Sequence, residues 1–486
     1  MWFFLLLLGL ITYFVVKSNT KGITTTPVWL LWLVLMVPAL LWTIWASTQG
    51  ADEPMPWWLI LGPFLVCPGL YWWLVQKGRI VPAETASTAE ASPNAENPTP
   101  TKVRPINAQE EKSLRDCFPW GIYYLQQLDY RPQAILCHGK LQTAPDTAYQ
   151  RIRDNVENIF GDRFLVLLQE NLQGQPVFAL VPNPNPASQQ SQERIPLTRP
   201  GLTLVLLAMT ILTTTIIGAE LSGVKPQSVQ ADPSVILAGL PYSLSLIAIL
   251  GCHELSHYFT AIYYRVRTTL PYFIPVPFFL GTFGAFIQMK SPVPHRRALF
   301  DVAIAGPLGG LVVAVPILFW GLTQSTVVPL GNNSHLIQFD ALDPRFSLLL
   351  SVLSKWAIGD DLKPTLGLDL HPVAISGYIG LIVTALNLMP FGQLDGGHII
   401  HAMLGQRAAI IIGQLTRIVV IALAFLRRDF LLWAIVLLLM PVGDQPALND
   451  VTELDNRRDL LGILSMIILL AILLPLPKVL ATWLQL

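Results

Sequence analysis

Charge is what this sequence has least of. Only 13% of its 486 residues are Asp, Glu, Lys or Arg, against about 25% in an ordinary soluble domain. That deficit excludes disorder over most of the chain, because disordered segments are polar and charge-rich. It also argues against the roughly two to four soluble domains that length alone would suggest. Cysteine is scarce too. Cys67, Cys117, Cys137 and Cys252 show no C-x-x-C spacing, which excludes a disulfide framework. Neither sign of charge is in excess, with 31 basic and 31 acidic residues, so no global basic field points to nucleic acid. There is no clear internal repeat and no inverted symmetry of the transporter kind. What the chain has in plenty is apolar residues, 52% of the total, and a mean hydropathy of +0.52. The fold class expected is a polytopic α-helical membrane protein of about ten transmembrane helices, with a small soluble α+β domain inserted.

A hydrocarbon core about 30 Å thick needs roughly 20 apolar residues in a helix. Residues 1–16 form the first such run. Its first cations, Lys17 and Lys21, follow the run rather than precede it, so a signal anchor or true span is expected over a cleaved signal peptide. No amphipathic, Arg- and Ser-rich transit peptide precedes it. Runs 28–46 and 57–76 carry several Trp, the interfacial anchor residue, and residues 1–80 are read as N-terminal transmembrane helices. Residues 81–108 form a Pro/Ala/Ser/Thr-rich linker without periodicity, expected to be flexible.

Residues 109–183 read as the soluble α+β domain. Strands are expected at 133–140, 163–170 and 176–182, and an amphipathic helix at 148–160, where Ile152, Val156, Ile159 and Phe160 fall near helical spacing. A further helix is expected at about 110–127. A polar linker, 184–199, leads back to the membrane. Spans are placed near 200–219, 235–262, 300–323, 372–393, 408–426, 430–443 and 459–482, with 346–357 apolar but short. With the N-terminus outside, Lys17, Lys77, Arg265, Arg296 and Arg457 all fall inside. Arg427 and Arg428 fall on the wrong side. The soluble domain is then expected on the cytoplasmic side, or the equivalent face of an internal membrane.

Within the span 235–262 lies His253-Glu254-Leu255-Ser256-His257. Helical positions i and i+4 share a face, so both imidazoles can reach one ion. Zinc takes imidazole nitrogen and, in hydrolases, keeps an open position. Glu254, one residue on, can flank the metal without ligating it and serve as general base toward the attacking water. Two His and a Glu inside a hydrocarbon span are expensive, and such residues are functional by default. The bland alternative is polar packing in a bundle; a proton relay or transported-ion site is a different functional one. Cys252 points about 100° away on the helix and is read as packing.

Zinc still lacks a third protein ligand. The segment Asn387-Leu388-Met389-Pro390-Phe391-Gly392-Gln393-Leu394-Asp395-Gly396-Gly397-His398 offers the best candidate, Asp395. It follows a long apolar run, where a charge needs a partner. Pro390 interrupts the helix, which is tolerated where irregular backbone lines a cavity. Two alternatives stay open: Asp395 caps the next helix, or His398 or His401 is the ligand instead.

The two motifs, HELSH in one span and NLMPFGQLDGG in a later one, resemble the site-2 protease family of intramembrane metalloproteases, whose pattern is H-E-x-x-H plus N-x-x-P-x-x-x-L-D-G. The resemblance covers about residues 200–445 and makes that stretch a protease core, with 446–486 a C-terminal segment carrying a further helix. It implies one Zn2+ held by His253, His257 and Asp395, with Glu254 activating water, and it suggests that Asn387 contacts substrate backbone or stabilises the oxyanion. For Asn387, a helix-packing hydrogen bond is the alternative. The stretch from Phe283-Gly284-Ala285-Phe286 to Gly306-Pro307-Leu308-Gly309-Gly310, and the tail Pro446-Ala447-Leu448-Asn449-Asp450-Val451-Thr452-Glu453, look like the photosynthetic branch. That branch includes the plant ethylene-dependent gravitropism-deficient and yellow-green proteins and their cyanobacterial homologues. Its G-N-L-R-G motif is replaced here by His138-Gly139-Lys140-Leu141-Gln142. Without a transit peptide, a cyanobacterial plasma or thylakoid membrane is expected over a plastid precursor.

The expected function is therefore an intramembrane zinc endopeptidase that cuts transmembrane protein substrates within the lipid bilayer. Segment 268–292 is apolar yet rich in Pro and Gly, and Thr282 to Met289 is expected to form an extended edge against which a substrate can pair. The competing readings are a catalytically silent membrane protein that binds clients and an ion-coupled transporter. The first predicts a lost motif residue and none is lost. The second predicts inverted repeats and charges scattered through several spans, and neither is evident.

Overall fold

The computed structural model describes residues 24–49, 56–78, 106–131, 134–171, 173–183, 200–278, 280–329, 342–363, 365–426 and 430–484, with isolated positions at 9, 12, 13, 16, 17 and 339. The chain divides into two compact units, 1–100 and 101–486. In the first, helices α1 (Val28–Gln49) and α2 (Trp57–Lys77) pack together. Their pairing is antiparallel: Thr25 N–H donates to Gly78 O at 2.7 Å and Thr26 Oγ1 to Leu74 O at 2.8 Å. Most of the first expected run, 1–16, lies outside the described residues.

The second unit opens with a four-stranded antiparallel sheet and two helices. Helix α3 (Ala108–Asp116) starts on a capping box between Asn107 and Glu110, which satisfies two N-terminal backbone donors reciprocally. Strands β1 (Tyr123–Arg131) and β2 (Ala134–Leu141), helix α4 (Pro145–Phe160), and strands β3 (Phe164–Glu170) and β4 (Pro176–Pro182) follow, in sheet order β1-β2-β4-β3. The strands expected near 133–140, 163–170 and 176–182 are present. The helix expected over 110–127 is not. It stops at Asp116, and Tyr123 onward is strand. Phe118-Pro119-Trp120-Gly121 breaks the helix, since Pro119 has no N–H to give. Tyr123 then pairs across to Leu141 and buries its ring edge-on against Phe178, 5.0 Å between centroids. This core is separate from the larger membrane core: Leu114, Tyr123, Ile135, Ile152, Leu168 and Phe178 are fully buried in it.

Next come α5 (Pro200–Leu221), α6 (Leu240–Tyr263), the hairpin β5 (Tyr272–Pro275) and β6 (Thr282–Phe286), and α7 (Arg296–Thr323). A small pair, β7 (Thr326–Pro329) and β8 (Leu366–Asp369), brackets α8 (Leu348–Ile358). Then follow α9 (Pro372–Leu388), α10 (Asp395–Leu404), α11 (Gln406–Leu426), α12 (Leu431–Leu439), α13 (Asn456–Leu473) and α14 (Lys478–Leu484). Helix α7 is central and packs on α6, α9 and α10. Glycines let the backbones approach, as in membrane helix pairs generally. A Cβ at Gly310 would meet His253 and one at Gly306 would meet His257; one at Gly377 would meet Leu318 and one at Gly380 Ala314. The numbers run in opposite directions in both pairs, so α6, α7 and α9 alternate in direction.

Among the described residues, five helical segments are long and apolar enough to cross a membrane: Val28–Trp45, Pro200–Leu221, Pro233–Tyr263, Arg296–Thr323 and Gln406–Phe425. The mostly helical, multi-span reading stands, and the number ten does not follow from it. Helix α9 is apolar but has 17 residues, ended by the Pro390 break. Helix α12 has nine residues. The run expected over 459–482 is split at Leu474, where Pro475 and Pro477 interrupt the ladder.

Candidate metal centre

The motif His253–His257 lies in the last three turns of α6, where both histidines and Glu254 are buried. His253 Nε2 and His257 Nε2 are 3.2 Å apart. Asp395 Oδ2 is 3.5 Å from the first and 3.3 Å from the second. The three atoms form a nearly equilateral triangle. Zinc bonds of about 2.0–2.1 Å in a tetrahedron place ligand atoms about 3.3–3.4 Å apart. The donor set of two imidazoles and a carboxylate therefore fits a zinc ion with its fourth position free, and these three residues group as a metal-holding cluster.

The orientation of the ligands has local causes. His257 Nδ1 is 2.7 Å from Val302 O. A carbonyl only accepts, so Nδ1 carries the proton and Nε2 presents its lone pair to the centre. Val302 belongs to α7, and Gly306, one turn on, leaves the space the His257 ring fills. Asp395 opens α10. The helix before it stops at Leu388 because Pro390 has no N–H to give, and the chain turns through Ser-free, glycine-bearing backbone at Gly392. Gly396 and Gly397 then let this turn lie directly on the Leu388 and Phe391 carbonyls.

The alternatives that spacing alone leaves open separate in space. The cap position of α10 is Leu394, not Asp395, and Asp395 faces the histidine pair. His398 and His401 face away, toward Asp444. Asn387, from the last turn of α9, puts Nδ2 3.1 Å from His253 Nε2, so its amide reaches the same point. Strand β6 packs against α6, the helix that carries Glu254. That strand is paired on one side only, with β5.

Sequence reasoning missed Gly306 and Gly310 as supports of the histidines. The signal was there in the small-residue spacing of Gly306-Pro307-Leu308-Gly309-Gly310, although only the crossing of α6 and α7 says what it meets. The Val302 carbonyl carries no sequence signal, since any residue supplies one.

Comparison with known proteins agrees with this geometry. The pattern of peptidase family M50 matches residues 241–426, which holds both histidines and Asp395. "Probable zinc metalloprotease EGY1, chloroplastic" of Arabidopsis thaliana is 34% identical over 255 residues, 52% of this chain and 46% of the relative. "Probable zinc metalloprotease EGY1, chloroplastic" of Oryza sativa subsp. japonica is 28% identical over 373 residues, 71% of this chain and 63% of the relative. "Probable zinc metalloprotease EGY2, chloroplastic" of Arabidopsis thaliana is 28% identical over 367 residues, 74% and 63% respectively. The chain thus spans about half to under two thirds of the length of these relatives. No solved structure matches. With the family pattern laid over a helix-borne His-His-Asp triangle, and relatives named as zinc metalloproteases at 27–34% identity, residues 241–426 match peptidase family M50, and the chain is homologous to that family's EGY-like branch.

Proposed function

We propose that the protein is an intramembrane zinc endopeptidase that hydrolyses peptide bonds in or near transmembrane segments of membrane-protein substrates. The observation that carries this reading is the triangle of His253, His257 and Asp395 at zinc spacing, with Glu254 beside it, at the end of a helix long and apolar enough to cross a membrane. Zinc held there supplies Lewis-acid polarisation. The remaining tasks belong to this chain's own side chains. Glu254 takes a proton from the attacking water and passes it to the leaving amine. The Asn387 amide, an N–H donor beside His253 Nε2, holds the substrate backbone or the developing oxyanion. The free edge of β6 offers backbone groups to a substrate segment that has left its helix, because an α-helix hides its amides in internal hydrogen bonds. The exposed Phe283 and Phe286 on that strand supply apolar contact for its side chains.

Under this reading residues 109–183 are a soluble module inserted ahead of a protease core at 200–445, and the module faces the cytoplasm or its equivalent. A cyanobacterial plasma or thylakoid membrane suits the plant relatives, whose names place them in the chloroplast. The test is time-dependent cleavage of a single-span substrate by purified protein in lipid, with Glu254→Gln in parallel. Wild type is expected to cut within the span, and Glu254→Gln to lose turnover by about 100-fold or more while keeping its zinc. Zinc loss in Glu254→Gln, or normal turnover, would overturn the role given to Glu254.

A further inference from the structure

Helix α10 carries Asp395 in its first turn and His401 six residues later, about 9 Å along the axis and on another face. His401 is fully buried between two carboxylates. Its Nδ1 is 2.6 Å from Asp444 Oδ2, and its Nε2 is 3.0 Å from both oxygens of Asp450. A neutral imidazole has one N–H; acceptors on both nitrogens require the imidazolium. The charges agree. Asp444 and Asp450 bring two negative charges, and buried Arg296, which donates to His401 O at 3.0 Å, brings one positive. Protonated His401 closes the balance. Burial disfavours its charge, but the hydrogen bonds to Asp444 and Asp450 outweigh that and push its pKa up to about 9.

Asp450 belongs to no helix. It sits in an extended strap that runs along the open edge of β3. Leu168 N–H donates to Leu448 O at 2.7 Å, and Asp450 N–H donates back to Leu168 O at 2.8 Å. The other edge of the strap pairs with the approach to α7, where Leu448 N–H donates to Val293 O and Asn449 N–H to Pro294 O. Asp146, at the start of α4, accepts from Asn449 Nδ2 at 3.2 Å and Thr452 Oγ1 at 2.7 Å. Leu448 and Val451 pack against the sheet's own core.

We propose that residues 444–452 are a latch through which the sheet region, docked along β3, holds α10 and thereby sets the position of Asp395, with His401 and Asp450 as positioning residues. The inference rests on the zinc site proposed above. A three-turn helix is marginal by itself, and α10 is bounded by the Pro390 turn and by Gly405, at φ 85°. Its placement depends on what grips it, and the described grip beyond its neighbouring helices is this strap.

The test uses the full chain in lipid nanodiscs. Asp146→Ala acts at the sheet end, on a half-exposed carboxylate; Asp450→Asn keeps the shape at the helix end and removes the charge. Two quantities are read: hydrogen exchange over 395–404 and 444–452, and the rate at which bound zinc passes to a chelator. Both variants are expected to raise exchange in both segments and to speed zinc release about ten-fold or more, with β1 and β2 as protected as in wild type. Zinc release and α10 exchange at wild-type rates in both variants would overturn the latch while leaving the zinc site standing. A wild-type protein that takes up no zinc would overturn the zinc site and the latch together.

Discussion

Gly306 has no side chain because the His257 ring occupies its place. A Cβ there would lie 2.0 Å from His257 Nε2, and the ring cannot swing aside while Nδ1 is bound to Val302 O. Gly306→Ala is therefore expected to push a ligand nitrogen off the triangle. Overpacking of this kind costs about 1–3 kcal/mol, which is about 5- to 150-fold when it falls on zinc affinity. Gly201→Ala, where a Cβ meets open space, is the matched control. Zinc content of the purified proteins decides it: equal zinc in both variants would show that the ring tolerates the methyl group. At this scale the His253–His257 pair was legible because i, i+4 spacing on a helix has one geometric meaning. Asp395 was legible only as the best of several candidates. Whether His398 or His401 turned inward depended on Asp444 and Asp450, more than 40 residues on, and nothing local ties them together.

Helix α10 is the element whose placement depends on a proton. His401 titrates near 6.5 in an unfolded chain and at about 9 here, raised against its burial by Asp444 and Asp450. A raised folded value gives stability that is fully present below the unfolded pKa and lost as pH rises through the folded one. The clamp should hold at pH 6 and fail between about pH 7 and 9. The other groups around it are Arg296, Asp444, held down by His398 and His401, and Asp450 and His398 themselves. Hydrogen exchange over 395–404 is expected to rise from pH 7 to pH 10 beyond the general rate increase, and less so in Asp450→Asn, which has already lost half the clamp. An equal rise in both would assign the effect elsewhere. Among elements, the strands of the sheet were legible from apolar alternation, and the long spans from length. The expected helix at 110–127 failed because Tyr123–Arg131 has enough apolar residues for either element, and only its pairing with β2 selects strand. The run at 459–482 failed because apolarity was counted across Pro475 and Pro477, which break hydrogen bonds without lowering it.

For the whole molecule, alternation of direction fixes which loops share a side. The start of α5, the end of α6, the start of α7 and the end of α9 all lie at one end of the bundle, together with the metal triangle and the strap that binds the sheet region. Arg265, Arg267 and Lys290 lie in the loops of that end and Arg296 and Arg297 in the first turn of α7, whereas the loop after α5 carries Lys225 and Asp232. The charge pattern was legible from sequence; the docking of the sheet on residues 446–452 was not, because a backbone pairing between residues 168 and 449 leaves no mark on either segment. By the positive-inside rule the sheet end is expected on the cytoplasmic side. Single cysteines test this, and three of the four native thiols interfere little: Cys67, Cys117 and Cys137 are buried, and Cys117 is pushed up to about 11 by burial with help from Asp116, so it offers little reactive thiolate at neutral pH. Ser228→Cys, exposed after α5, should react with a membrane-impermeant maleimide in intact cells. Gln150→Cys, exposed on α4, should react only after permeabilisation. The reverse pattern would invert the protein in its membrane and place the metal triangle near the outer face, so that water and substrate would have to approach it from the opposite side.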